Sequence, residues 1–271
     1  MNILFLGDIV GRAGREAVIA ALPGLRRDLA LDLVVVNAEN AAHGFGLTPE
    51  IARALFEAGA DCLTLGNHSW DRKEIIPYIE AEPRLLRPLN YPPGTPGRGA
   101  QLIPARAGGR VLVINAMTRL FMELLDDPFA ATRAELGRHR LGVTVDAIVI
   151  DLHGEATSEK QAFAYHFDGQ ASLVAGTHTH VPTADQRILP GGTAYQSDVG
   201  MCGDFDSVIG MAKEGSVSRF LRKTSAERLV PAEGAATLCG LFVVTDPATG
   251  LARRAEALRT GGVLAPAMPV V

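Results

Sequence analysis

The sequence predicts a layered α/β fold on three observations. Short β-rich apolar runs recur along the chain, stretches with helical spacing separate several of them over the first two-thirds, and beyond Asp185 strands and turns replace that alternation. In chain order, residues 3–6 and 33–36 are the first two buried strands. Thr48-Pro49-Glu50 then opens a helix: Thr48 can cap it, Pro49 suits its first turn, Ile51, Leu55 and Phe56 follow at helical spacing, and Gly59 ends it. A strand at 62–65 and a helix at 71–80 follow, and the Pro/Gly-rich stretch 91–99 reads as a long surface loop. Strands at 111–114, 147–150 and 173–175 alternate with helices at 128–139 and 158–167. Past Asp185, Gly191-Gly192, residues 204–206 and Asp246-Pro247 punctuate runs such as 235–245, which predicts a second sheet formed there.

With 271 residues, 47% of them apolar and 21% charged, the chain can bury a full core, and a single domain spanning 1–271 is expected. A net charge of -4 supplies no basic surface for long duplex nucleic acid. A small anionic substrate would need local positive charge, which a bound dication can provide. Asp8 interrupts the apolar start and no cationic segment precedes it, so it does not read as a secretory signal. No apolar run approaches the roughly 20 residues of a membrane span. Cys62, Cys202 and Cys239 are odd in number and widely spaced, which argues against a disulfide framework or structural zinc and for a reducing cytoplasm.

Polar clusters fall directly after buried strands, where ligands of α/β sheets collect. Asp8 follows the first strand, Glu39 and Asn40 the second, Asn67 and His68 the third; His153 and the pair His178 and His180 follow two later ones. Singly, each has an ordinary explanation, since Asp and Asn form turns and caps and a lone His is more often structural. His178-Thr179-His180 is more specific, because on an extended segment residues two apart face the same side. Together the carboxylates and imidazoles suit Mn, Fe or Zn.

At these residues the chain resembles the calcineurin-like metallophosphoesterases, and among them the YmdB-like branch of cyclic-nucleotide phosphodiesterases. The resemblance runs through Gly7-Asp8-Ile9-Val10-Gly11, Asn37-Ala38-Glu39-Asn40, Gly66-Asn67-His68, the block from His153 to Lys160, Gly176-Thr177-His178-Thr179-His180 and Ser197-Asp198-Val199-Gly200-Met201. It implies a four-layer αββα sandwich of two mixed sheets flanked by helices, holding two divalent metals, Fe or Mn, with Zn or Mg as alternatives. Carried over, Glu39 bridges the metals; Asp8 and His180, assisted by Asn40, hold one; Asn67, His153 and His178 hold the other. His68 becomes the acid that protonates the leaving oxygen of a small phosphodiester or 2′,3′- or 3′,5′-cyclic nucleotide, and relatives imply self-association into a homo-oligomer. Val10 stands where most of the wider superfamily has a His and Glu39 where it has an Asp, a departure shared by this branch that shifts one metal toward oxygen ligands.

Asp71 either orients His68 or caps the helix at 71–80. His43 and Phe45 are candidate substrate contacts, with a glycine-rich turn and an inward-packed Phe45 as the plain alternative; Phe121 and Tyr195 are weaker candidates. Asp198 is expected either to support the histidine ligands or to form a turn, and Glu155, Ser158 and Glu159 to start a helix. The Gly7 to Gly14 stretch lacks the Gly-Lys-Ser/Thr ending and G-x-G spacing of nucleotide loops, and no G-x-S-x-G occurs. A regulatory protein that senses a nucleotide or holds a partner with little turnover is the competing reading. The presence of His68 argues against it, because binding alone needs no acid.

Overall fold

Residues 3–6, 33–36 and 241–244 are apolar at every position, so the strands they form must be covered on both faces. In a computed structural model, which describes residues 1–222 and 228–270, they are. The first half of the chain runs β1 (Asn2–Leu6), β2 (Asp8–Ile9), α1 (Gly11–Asp28), β3 (Leu33–Asn37), α2 (Pro49–Ala58), β4 (Cys62–Thr64), α3 (Ile75–Ala81), β5 (Leu85–Leu86), β6 (Ala100–Pro104) and β7 (Arg110–Met117). Then come α4 (Pro128–Leu136), β8 (Ala147–His153), α5 (Thr157–His166), β9 (Leu173–Thr177), β10 (Arg187–Ile188) and β11 (Ala194–Gln196). The chain closes with β12 (Met201–Asp204), α6 (Lys213–Leu221), β13 (Ala236–Thr245) and β14 (Ala252–Gly261).

Two mixed sheets result. The first is ordered β2-β12-β13-β1-β3-β4-β5 with β14 paired to β13; the second is ordered β10-β11-β9-β8-β7-β6. Side chains alternate across each strand, and that alternation builds the layers. Ile3, Phe5, Leu33 and Val35 of the first sheet meet Val111, Val113, Val149 and Leu173 of the second. Leu4, Leu6, Val34 and Val36 point the other way, onto Val18 and Leu22 of α1 and Leu55 of α2. Leu112, Ile114, Ile148 and Ile150 of the second sheet pack on Phe163 of α5 and Leu136 of α4. The molecule is therefore an αββα sandwich with three apolar layers between four structural ones.

Three expectations are corrected, and one helix, α1, stands where the sequence pattern predicts no element. The second sheet is made chiefly by the middle of the chain, and the last strands return to the first sheet, with β13 antiparallel to β1 over Asn2↔Val244 to Leu6↔Gly240. Helix α1 occupies residues whose Gly14, Pro23 and Gly24 ordinarily punctuate loops. Packing overrides that local preference: Val18, Leu22 and Leu25 bury on the first sheet, and Gly14 lets the helix touch β12, where an added Cβ would lie 1.9 Å from the Cys202 carbonyl oxygen. Beyond Asp185, α6 stands where only strands and turns were expected. Helix α3 begins at Ile75 instead of residue 71.

Candidate metal centre

β1, β3 and β4 are mutually parallel, as are β7, β8 and β9, so their carboxyl ends gather their following residues at one edge of the sandwich. Asp8, Glu39, Asn40, Asn67, His153, His178 and His180 meet there. Nε2 of the fully buried His153 is the crossing point: it lies 2.9 Å from Asn67 Oδ1, 3.1 Å from Glu39 Oε1 and 3.1 Å from His178 Nδ1. Donor atoms of Glu39, His153 and His178 all lie within 4.8 Å of one another.

Protonation follows from the neighbours. Thr177 donates its hydroxyl proton to Asp151 Oδ1 at 2.6 Å, so Thr177 Oγ1 accepts from His153 Nδ1–H at 2.9 Å. That leaves the Nε2 lone pair facing three other acceptor atoms, an arrangement that only a proton or a cation on Nε2 makes favourable. Without a cation the proton takes that place: burial works against the His153 charge, but Glu39 and Asp8 outweigh it and raise the imidazole to about 9. Burial likewise pushes Glu39 upward, yet the charge of His153 and the hydrogen bonds from His153 and the His68 amide hold its carboxyl at about 2. Burial and the charge of His153 hold His178 down at about 3. Its Nε2 lies 3.2 Å from Glu155 Oε2, which favours the proton there and leaves Nδ1 bare toward His153.

Asp8, Asn40 and His180 form the adjoining half. Asp8 Oδ1 and Asn40 Oδ1 are buried and have no hydrogen-bond partner among the described residues. Burial pushes the Asp8 carboxyl upward against the pull of His180 and His153. His180 Nδ1–H donates to the Ile209 carbonyl at 2.8 Å, so its Nε2 carries the free lone pair. Orphaned oxygens, imidazoles with one nitrogen already committed and a bridging-length carboxylate fit divalent cations. Val10, the departure from the superfamily pattern, packs against Met201 and Met211 and offers nothing to a metal.

His68 lines the same cavity of about 330 Å³, together with Glu39, Asn40, Phe45, His178, His180 and the apolar Ile209, Met211 and Leu229. Its Nδ1 lies 2.8 Å from Asp71 Oδ2, and because α3 starts later, Asp71 is not a helix cap; the helix-cap alternative is thereby corrected. Phe45 packs edge-on to His68 with ring centroids 5.1 Å apart. His43 is exposed and lines a neighbouring cavity instead. Tyr195 belongs to the core between the second sheet and its helices, and Phe121 is 88% exposed.

The histidine loop departs from the expected extended geometry. β9 ends at Thr177, and His178 and His180 take φ of 99° and 66°, conformations that L side chains adopt only when their surroundings hold them. The surroundings here are a buried ion pair. Lys160 Nζ donates to the Thr177 carbonyl at 2.6 Å and lies 3.1 Å from Asp198 Oδ2, which accepts from Thr179 N at 2.9 Å. Asp198 Oδ1 accepts from Gly200 N at 2.9 Å, so Asp198 holds backbone and, among the described residues, hydrogen-bonds to neither imidazole. Asp8 Oδ2 adds a bond from His178 N at 3.2 Å. Lys160, Asp151, Thr177 and Glu155 were not singled out for chemistry from sequence. Asp151 was within reach, being two residues before His153 on one strand and therefore on the same face.

Comparison with known proteins agrees with this fold. The family model described as YmdB-like protein matches residues 4–258. A 2′,3′-cyclic-nucleotide 2′-phosphodiesterase of Bacillus subtilis is 46% identical over 257 residues, covering 94% of this chain and 96% of the relative. A putative phosphatase/phosphodiesterase of Mycoplasma pneumoniae is 38% identical over 266 residues, covering 96% and 92%. A crystal structure of a hypothetical protein from Thermus thermophilus superposes with a TM-score of 0.90 at 42% identity, covering 97% of this chain and 100% of that one. A structure described as a novel phosphatase from Mycoplasma pneumoniae gives 0.88 at 36%, covering 96% and 93%. With a family match across nearly its whole length and these relatives beside it, the chain belongs to the YmdB-like proteins.

Proposed function

We propose that this chain is a metal-dependent phosphodiesterase that hydrolyses a 2′,3′- or 3′,5′-cyclic nucleotide, with His68 as general acid. One observation carries the reading: bare acceptor atoms of Asn67, Glu39 and His178 converge on His153 Nε2, in a cavity that also holds His68. The 2′,3′-cyclic-nucleotide 2′-phosphodiesterase named among the relatives supports the substrate class. In this reading Glu39 would be shared by two ions, Asp8, Asn40 and His180 would hold one, and Asn67, His153 and His178 would hold the other, with Fe or Mn favoured by the mixed oxygen and nitrogen set. When bound, the pair supplies Lewis-acid activation of water and offsets charge on the phosphoryl group.

The chain's own groups do the rest. Asp71 takes the His68 Nδ1 proton in a hydrogen bond and fixes the ring, which leaves Nε2–H for the leaving oxygen. Water oxygen bonds to phosphorus and releases a proton to solvent, the ribose P–O bond breaks, and the departing oxygen becomes a hydroxyl with the proton from His68, which solvent then reprotonates. Ile209, Met211 and Leu229 form an apolar wall of the same cavity.

Metal analysis of the purified protein combined with a panel of cyclic nucleotides and a generic aryl phosphodiester tests this. Turnover is expected with Mn, is lost with the metals in Asp8→Asn and Glu39→Gln, and is lost with the metals retained in His68→Ala. A metal-free variant with undiminished rate overturns the scheme, as does hydrolysis of monoesters alone. Nucleotide binding without turnover favours a regulatory role instead.

A further inference from the structure

The cavity beside His68 has a neighbour. A second cavity of about 550 Å³ shares Phe45 and Leu229 as walls with the first, and is lined beyond them by His43, Arg72, Arg228, Val230, Pro231 and Glu233. In a chain of net charge -4, it places two guanidinium groups and an imidazole around one space. The single carboxylate among the described residues that line it, Glu233, already lies 3.7 Å from Arg12.

The cations are available. Arg72 donates from Nε to the Phe45 carbonyl at 3.1 Å and from Nη2 to the Ala42 carbonyl at 2.9 Å, which locks its guanidinium and leaves Nη1 unengaged among the described residues. Arg228 is exposed and makes no hydrogen bond or ion pair among the described residues. A locked guanidinium beside one unengaged among the described residues presents the planar donors that suit phosphate oxygens. Phe45 stands between the two cavities with an aromatic surface against which a base or ribose can lie.

A cyclic mononucleotide has one phosphate, and the metal centre consumes it, so a second cationic cavity has no task with that substrate. The geometry points to a substrate with a second phosphate: a ribonucleotide whose cyclic phosphate sits at the metal centre while a phosphate on its 5′ side lies between Arg72 and Arg228. This rests on the phosphodiesterase reading and narrows its substrate class. The second phosphate is either a terminal 5′-phosphate or the diester linking the preceding residue of a short oligoribonucleotide.

Three substrates separate these sources: a nucleoside 2′,3′-cyclic phosphate, the same nucleotide bearing a 5′-phosphate, and a dinucleotide ending in the cyclic phosphate. At least one of the latter two is expected to exceed the first in kcat/KM by about tenfold, the contribution of one charge-assisted hydrogen bond. The preference is expected to shrink as salt is raised. Arg228→Gln is expected to erase it while leaving turnover of the mononucleotide unchanged. Equal kcat/KM for all three in the wild type overturns the inference, and so does an undiminished preference in Arg228→Gln. A direct binding measurement keeps the two readings separable. Adenosine 3′,5′-bisphosphate is expected to bind the metal-loaded protein about tenfold more tightly than 3′-AMP, and only when Arg228 is present. If no cyclic phosphate is hydrolysed, the phosphodiesterase reading falls, and equal affinity of the two ligands then overturns the second-phosphate site as well.

Discussion

One methyl group at Gly66 is expected to empty the metal centre without unfolding the chain. A Cβ at Gly66 would lie 2.3 Å from His153 Nε2 and 2.4 Å from Glu39 Oε2, about 1 Å short of the 3.4 Å at which ordinary contact begins. The Gly66 backbone is not left-handed, so alanine meets no conformational penalty there and the whole effect is steric. His153 cannot step aside, because it is fully buried and tethered through Nδ1 to Thr177. Glu39 is held by the His68 amide at 2.9 Å. Overpacking of this kind costs about 1–3 kcal/mol, well inside the roughly 5–15 kcal/mol that a domain has in hand. The centre suffers far more than the fold, since the displaced atom is the one on which Asn67, Glu39 and His178 converge, and a misplacement of about 1 Å costs on the order of a hundredfold in rate. Metal content per chain by elemental analysis, a thermal melt and aryl phosphodiester turnover together read this out. A Gly66→Ala protein that keeps its full metal content and stays within a few-fold of wild-type turnover would refute the steric argument and the ion position it assumes.

Other consequences follow from the same geometry. Lys160→Met leaves Asp198 buried without its counter-charge, and about 3–5 kcal/mol of stability should be lost in denaturant titrations; a loss under about 1 kcal/mol would mean the pair does not hold the histidine loop. In the metal-free protein Glu39, depressed to about 2, stabilises above its ordinary 4.5 and loses that support as pH falls toward 2, whereas His153, raised to about 9, stabilises below its ordinary 6.5 and loses its support as pH rises through 9. The pair therefore helps the metal-free fold most between 4.5 and 6.5, and because loading must displace the His153 proton, metal affinity should climb by up to tenfold per pH unit until about 9. Chelator competition across that range measures it, and a flat profile contradicts the assignment of His153. Asp71→Asn should lower kcat about 10- to 100-fold with metal content unchanged, and intact turnover in that variant beside an inactive, metal-replete His68→Ala would show that Asp71 does not orient the ring.

Much of the strand-end pattern behind this site is legible in the sequence. A strand covered on both faces is largely apolar, and the polar residues that follow its apolar run lie toward the sheet edge; this places Asp8, Glu39, Asn67 and His153, each two or three residues past such a run, by local pattern. Helix α1 was hidden because Gly14 and Pro23 obey packing on the first sheet and β12, which local preference does not report. The return of β12, β13 and β14 to the first sheet was hidden for a related reason, since a strand's pattern records that it is buried but not beside which partner.

By itself, then, the sequence determined the layer periodicity, the strand ends and the types of donor available there, all properties of residues close together along the chain. Only the tertiary structure decided which donors touch and in which protonation state. The left-handed turns at His178 and His180 depend on Lys160 and Asp198, the bare Nδ1 of His178 depends on Glu155, and the clustering on His153 Nε2 depends on two sheets packed face to face with their strand ends at one edge. These are contacts between segments up to 170 residues apart, as between Asp8 and His178. Their free energy comes from packing and desolvation that exist only once the sandwich has closed.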